Sequence, residues 1–506
     1  MKLKRRVCIE LIQRHSQTII LNGKNLTVAT ITKIINFKLK IEVGPATWQN
    51  LDQARAIVLH NTHRVYGLNT SVGQNKDISI AQNVENQFNN NLVKSHLIST
   101  GKLVPTNIAR IVFLIRINQL LQGVTGINPA LVRLMIRLYN ADVLPVFYSC
   151  GSVGEADIGI LSALAQLVIG RGQAWYHGSL TNTEVLFKKL KITAIQLGPK
   201  DALAVLSSNA YGVGQLIYGV NRTRQLLKEA VTILGLSLEG FDANVTPILP
   251  VVSKANHNDY EMQISQRLRS ALTDSYLFDH HQRKQVQDPI SFRSATHILG
   301  AALHTVENCI ESLDMFLSGS DDNPLVCHET GQIVSTGNFE VIDIALVAET
   351  VGQALTHVSR SIFQRIKHLN NDQMTGLPRF LIQQRGFQFG LQTLQKTAMD
   401  ADVRIRQLAY PISAEFYGLA GDIEDHSSNL PLISEKLVDI NTHLSTLLSL
   451  ELYNAAQAVY LRLGDDAPTS LGIKTARLYT RVRKLVPPII DDRPYNAEIE
   501  KVRKII

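Results

Sequence analysis

After about Thr106, apolar residues recur three and four positions apart over long stretches, prolines are few and strict alternation is rare. That pattern predicts a mainly α protein. In LQTLQKTAMDADVRIRQL, residues 391–408, Leu391, Leu394, Ala398, Ala401, Ile405 and Leu408 fall on one helical stripe. Phe389, Met399 and Val403 lie off the stripe, so this helix is expected inside a bundle with neighbours on both sides. Lys396 rides on the same helix. Its stem either packs along the helix while the ammonium reaches water, or the residue is a partly buried cation in a site.

Polar, glycine-rich segments interrupt the helical pattern: YGLNTSVGQNKD, SCGSVGEAD, QDPISFRS, SGSDDNPLVCHETGQIVSTGNF and GDIEDHSSN. Each reads as a loop. Two regions are expected. Residues 1–200 form a mixed, loop-rich N-terminal region, and 201–506 form a long helical bundle with C-terminal helices broken at Pro487 and Pro488.

Composition narrows the function classes. With 45% hydrophobic and 19% charged residues in 506, the chain is ordinary for a globular protein, and no apolar run reaches the roughly 18 residues that cross a bilayer. The basic start, MKLKRRVCIELIQRH, is interrupted by Glu10, Gln13 and Arg14 before signal-peptide length, so a cytoplasmic location is expected. The net charge of +8 is spread along the chain without a basic block interleaved with aromatics, which disfavours nucleic acid as a partner. Cys8, Cys150, Cys309 and Cys327 form no C-x-x-C pair; reduced, mostly buried thiols are expected, and no metal.

Six strings, in order, carry a resemblance to a known family: VYGLNTSVG, NNLVKSH, VQDPISFR, DDNPLV, STGNF and IEDHSS. The chain resembles the histidine and phenylalanine ammonia-lyase superfamily, and that resemblance implies its fold, a central helical bundle with an active-site region toward the N-terminus. It also implies a small-molecule substrate and a homotetramer whose subunits share residues at each site. By the same resemblance Tyr66 is the loop tyrosine that acts as catalytic base, a phenol of ordinary pKa about 10 that neighbours must ionise. Arg293 is the fork that holds the substrate carboxylate, with Gln287 a polar neighbour. His96 approaches the substrate ring, and Glu424 meets the imidazole or amine, which favours an imidazole-type substrate. Phe339 sits near the prosthetic group, and Asn209 stands two residues after Ser207, where the family carries asparagine. Each residue also has a structural alternative: a packed tyrosine or phenylalanine, an ordinary ion pair, a satisfied polar group.

The departure lies at Gly154-Glu155-Ala156-Asp157. The family's Gly-Ala-Ser-Gly-Asp cyclises into methylidene-imidazolone, using the serine hydroxyl as leaving group and the unhindered glycine nitrogen as nucleophile. Serine and second glycine are both missing, so no such cofactor is expected. In this respect, and in GSVGEAD and IEDHSSN, the chain resembles the trimethylamine-releasing members of the ergothionase type. A substrate activated by its own structure is then implied: a trimethylammonium leaves as a neutral amine, and a thione-bearing imidazole accepts electron density. In that scheme Lys396 and Glu424 stabilise charge on the ring. Three readings stay open: an imidazolone-free amine lyase, a histidine ammonia-lyase forming urocanate and ammonia, and an inactive small-molecule-binding homologue.

Overall fold

The computed structural model describes residues 18–279, 286–383 and 386–506; the basic start and Cys8 lie outside them. Among the described residues helices dominate and strands are short. The chain divides into two compact units, one comprising residues up to Tyr218 with Ile310–Leu346 and Pro411–Glu435, the other Gly219–Cys309, Val347–Tyr410 and Lys436–Ile506. Four of the five boundaries fall within the four longest described helices, Ala210–Phe241, Ala295–Ser318, Ile342–Leu369 and Leu430–Leu463, and the fifth, between Tyr410 and Pro411, falls in the loop after the helix Leu394–Leu408. No helix is long and apolar enough to cross a membrane among the described residues.

The first unit surrounds the helix Thr106–Leu120, which is buried from Ile108 to Leu120 except at Arg110. A helix apolar all round belongs inside a core, yet this one carries Arg116 with no exposed surface. Its charge is met by Asp321 at 3.4 Å and Asp322 at 3.8 Å. Lys200, equally buried, donates to Asp322 at 2.6 Å and to the Thr125 carbonyl at 2.7 Å. Desolvation pulls the Lys200 pKa down, and Asp322 works against that shift. Burying four charges is tolerable only because they neutralise and hydrogen-bond one another.

Short strands frame this core. Thr18–Leu21 pairs in parallel with Lys40–Val43 around the helix Val28–Phe37. Thr100–Leu103 pairs antiparallel with Tyr148–Cys150, which feeds the turn at Gly151–Asp157 and the helix Ile158–Val168. Strands of three or four residues leave too little alternation for the sequence to signal.

In the second unit, Glu451 takes two bonds from Arg365, at 2.5 and 3.1 Å, and one from Ser237 at 2.9 Å. Phe241 stacks on Phe292 at 4.2 Å. The helix Leu394–Leu408 buries Leu394, Ala398, Ala401 and Ile405 as expected. Its second apolar face differs from expectation: Met399 and Val403, with Phe389 before them, are exposed, because one chain supplies neighbours to a single stripe. The described thiols differ too, since among them Cys150 is exposed, Cys327 half-buried and only Cys309 buried. The last helices, Ile473–Leu485 and Asn496–Arg503, flank the double proline.

The buried charge cluster yields a test. Lys200→Met leaves Asp322 short of one cation and should cost about 3 kcal/mol. Thermal unfolding of the full chain should show a midpoint several degrees lower, and an unchanged midpoint would show that the pair contributes nothing.

Candidate active site

Four polar segments of the first unit converge on a cavity of about 300 Å³. Tyr66, Gly73 and Lys76 come from the first loop, Glu155 and Ala156 from the turn before the helix Ile158–Val168, Ile158 from the start of that helix, and Ile423 and Glu424 from the late loop. Asn323, Ser335, Thr336 and Phe339 complete a third wall, with Leu203 and Ser207 beneath.

The first loop is folded rather than trailing. Asn69 Oδ1 accepts from the Val65 amide at 2.7 Å, the Val65 carbonyl accepts from Leu68, Asn69 and Thr70, and Ser71 and Ile80 amides bond across the loop at 2.9 Å. Tyr66 Oη accepts the Gly73 amide at 3.0 Å. Burial raises the Tyr66 pKa, the Gly73 bond opposes the shift, and Glu424 raises it further. Within one chain the phenol is therefore held protonated, the reverse of what a base requires. The late loop is closed by Leu419 and Glu424, which exchange backbone bonds of 2.8 and 3.3 Å. At Gly421, φ +67°, any Cβ would lie 2.8 Å from Gln74, so the two loops touch there.

The turn is fixed at both ends. Gly154 takes φ +86°, and a Cβ there would meet Ser428 Oγ at 2.3 Å. Its carbonyl accepts from that hydroxyl at 3.0 Å. Asp157 is buried; it accepts from Ser152 Oγ at 2.6 Å and the Gly212 amide at 2.9 Å, and its own amide donates to Ser208 at 2.6 Å. Burial pushes its carboxyl up to about 6, against the pull of Ser152 and Gly212. Between these anchors Ala156 adopts φ +52°, a left-handed conformation costing a non-glycine residue roughly 1–2 kcal/mol. Its amide donates to Asn209 Oδ1 at 3.0 Å. Glu155 is half-buried on the cavity wall. Burial, then Glu424 and Glu340, push its carboxyl up to about 7; His426 lowers it and Asp425 raises it.

The expected residues are distributed unevenly. Tyr66, Glu424 and Phe339 line the cavity. Asn209 does not; it is buried, taking the Asp321 carboxylate on its amide at 2.8 Å, with its side chain bonded to the Ala156 amide and the Phe339 carbonyl. It positions two walls of the cavity. His96 caps the helix Glu85–Ser95, and its Nδ1 lies 2.8 Å from the Leu92 carbonyl, which leaves Nε2 as the lone-pair nitrogen of the neutral ring. It does not line the cavity either. Gln287, Arg293 and Lys396 belong to the second unit; Arg293 donates to Gln287, and Lys396 is exposed. Sequence reasoning passed over Glu155 and Lys76 as site residues, although both stand inside strings it had singled out.

By its family and its relatives the chain is a carbon–nitrogen lyase. Residues 26–484 match the model of the aromatic amino acid lyase family, and the chain belongs to that family. Its relatives include a probable histidine ammonia-lyase of Thermoplasma volcanium, 27% identical over 96% of this chain and 98% of that one. The histidine ammonia-lyase of Legionella pneumophila strain Corby is 28% identical over 97% of each. Among solved structures, the ergothioneine-degrading ergothionase of Treponema denticola, in complex with desmethyl-ergothioneine sulfonic acid, superposes with a TM-score of 0.93 at 30% identity, covering 96% of this chain and 98% of that one. Histidine ammonia-lyase of Trypanosoma cruzi gives a TM-score of 0.87 at 25% identity, covering 97% and 93%.

Asn209→Ala should release both Ala156 and Phe339 while leaving the cavity's lining residues unchanged. A displacement of this kind costs on the order of a hundredfold in turnover. Steady-state kinetics on whichever substrate the enzyme accepts would check it, and near-normal rates would return Asn209 to a purely structural part.

Proposed function

We propose that the protein eliminates trimethylamine from an imidazole betaine of the ergothioneine type, without a methylidene-imidazolone. The observation that carries this reading is the turn at Gly154–Asp157. A carboxylate side chain at 155 and a methyl at 156 stand where the family cyclises Ala-Ser-Gly, so there is no hydroxyl to lose and no glycine nitrogen to attack. The residues present do not fit the group. The likeness to ergothionase supports the same reading.

Tyr66 takes the proton from Cβ, the C–H electrons become the Cα–Cβ double bond, and the Cα–N bond breaks with its electrons leaving on trimethylamine. No proton need be given to the leaving group. Arg293 clamps the carboxylate with Gln287 beside it, His96 and Phe339 approach the ring, and Lys396 with Glu424 stabilises charge gathering on the thioimidazole. Asn209, expected at the substrate, serves by holding the walls.

This scheme needs a homotetramer. Arg293, Gln287 and Lys396 are absent from the cavity's lining in one chain, and there burial and Glu424 raise the Tyr66 pKa although Lys76 shares the cavity. The uncovered Met399 and Val403 beside Lys396 give the helix Leu394–Leu408 an apolar face for a second copy. Delivery of Lys396 and Arg293 by neighbouring copies would lower the phenol pKa and complete the site. The substrate is a small molecule, the setting cytoplasmic, and no metal or nucleic acid is involved.

The names of the curated relatives favour a second reading, conversion of histidine to urocanate and ammonia. One assay separates the two. Ergothioneine should yield trimethylamine and a strongly absorbing conjugated acid; ammonia from histidine with no trimethylamine from ergothioneine would give the second reading the place of the first. Lys396→Met should lower turnover by about two to three orders of magnitude, whereas near-normal rates would assign Lys396 to snorkelling.

A further inference from the structure

The direction of Glu155 is dictated by bonds on both sides of it. Ser152 and Ser428 hold Gly154, Asn209 holds Ala156, and Ser152 and Gly212 hold Asp157. The side chain at 155 faces the cavity from the place where relatives of this family carry their electrophile. Around it the walls are of two kinds. Ile158, Leu203, Ile423 and Phe339 give an apolar and aromatic lining. The charged groups that face Glu155 are mostly of its own sign: Glu424 and Asp425 from the late loop and Glu340 beside Phe339, while His426 lies 2.8 Å from Glu340 and Lys76 stands on the first loop beside Tyr66.

A half-buried carboxylate among like charges is unfavourable until a cation arrives. A primary ammonium asks for directed acceptors. A quaternary ammonium has no N–H to satisfy and is recognised by diffuse negative charge over apolar and aromatic surface, which is what this corner offers.

We propose that Glu155 is the specificity-determining residue that seats the cationic amine of the substrate, so that a quaternary ammonium fills the space given up by the electrophile. The inference rests on the elimination proposed above. Its kinetic signature follows from the fate of the charge. The ammonium is cationic in the bound substrate and neutral once the C–N bond has broken, so Glu155 stabilises the ground state more than the transition state. Such an interaction appears in KM rather than kcat. The neutral product loses the attraction and is released.

The test uses the full-length, assembled enzyme and Glu155→Gln. With ergothioneine, KM should rise about tenfold or more while kcat holds or increases. Tetramethylammonium, titrated calorimetrically, should bind the wild type at least about tenfold more tightly than the variant. Its affinity for the wild type should fall as pH drops below about 7, where Glu155 takes up its proton, and the variant should show no such limb. Glu155→Asp should restore part of the binding, which a general loss of folding would not allow. Equal tetramethylammonium affinity in wild type and Glu155→Gln, or a loss confined to kcat, would overturn the assignment. Since the titration needs no turnover, it reads Glu155 even if ergothioneine proves not to be the substrate.

Discussion

The site depends on a carboxylate that never reaches it. Asp321 is buried against Arg116, whose guanidinium would otherwise be stranded in an apolar helix, and its second oxygen accepts the amide of Asn209. Asn209 in turn fixes the Ala156 amide and the Phe339 carbonyl. Charge compensation in the core and the geometry of the cavity are thus one hydrogen-bonded chain. A buried ion pair contributes little net stability but is costly to break, and here its return is position. It holds Ala156 in a left-handed conformation that an alanine would not choose, and so aims residue 155.

That chain also explains what the replacement of Ala-Ser-Gly does chemically. On the proposed reading the carboxylate of Glu155 takes the place where relatives need an electron-poor alkene, and the cavity becomes cation-binding rather than electron-accepting. The proposed elimination then falls to a substrate that carries its own leaving group. Tyr66 shows the complementary need: burial and Glu424 raise the pKa of its phenol in a single chain, so the proposed role as base depends on a cation drawn close to it.

Much of the fold was legible because its signals are long. Helices of 24 to 34 residues impose a period that survives irregularities, and the loops between them were marked by glycine and polar runs. The strands were not legible, being three or four residues each. The second apolar face of Leu394–Leu408 was legible as a face that needs covering, but sequence cannot say whether the cover comes from the same chain. Tyr66, Glu424 and Phe339 were found through strings that fold into the cavity wall. Asn209, expected at the substrate, lies buried behind the wall instead, and one asparagine reads alike in sequence as a ligand or as a brace. Glu155 was noticed only for what it replaced: a carboxylate's effect depends on the surroundings that desolvate it, and those come from residues 340 and 424–426, far along the chain.

The mass of the intact, denatured polypeptide bears most directly on the central claim, that this lyase works without an imidazolone made from its own backbone. A mass equal to that of the linear sequence is expected, with peptide mapping recovering Gly154-Glu155-Ala156-Asp157 unmodified. A deficit of two waters localised to that segment would mean that the chain has cyclised after all, and would contradict the account.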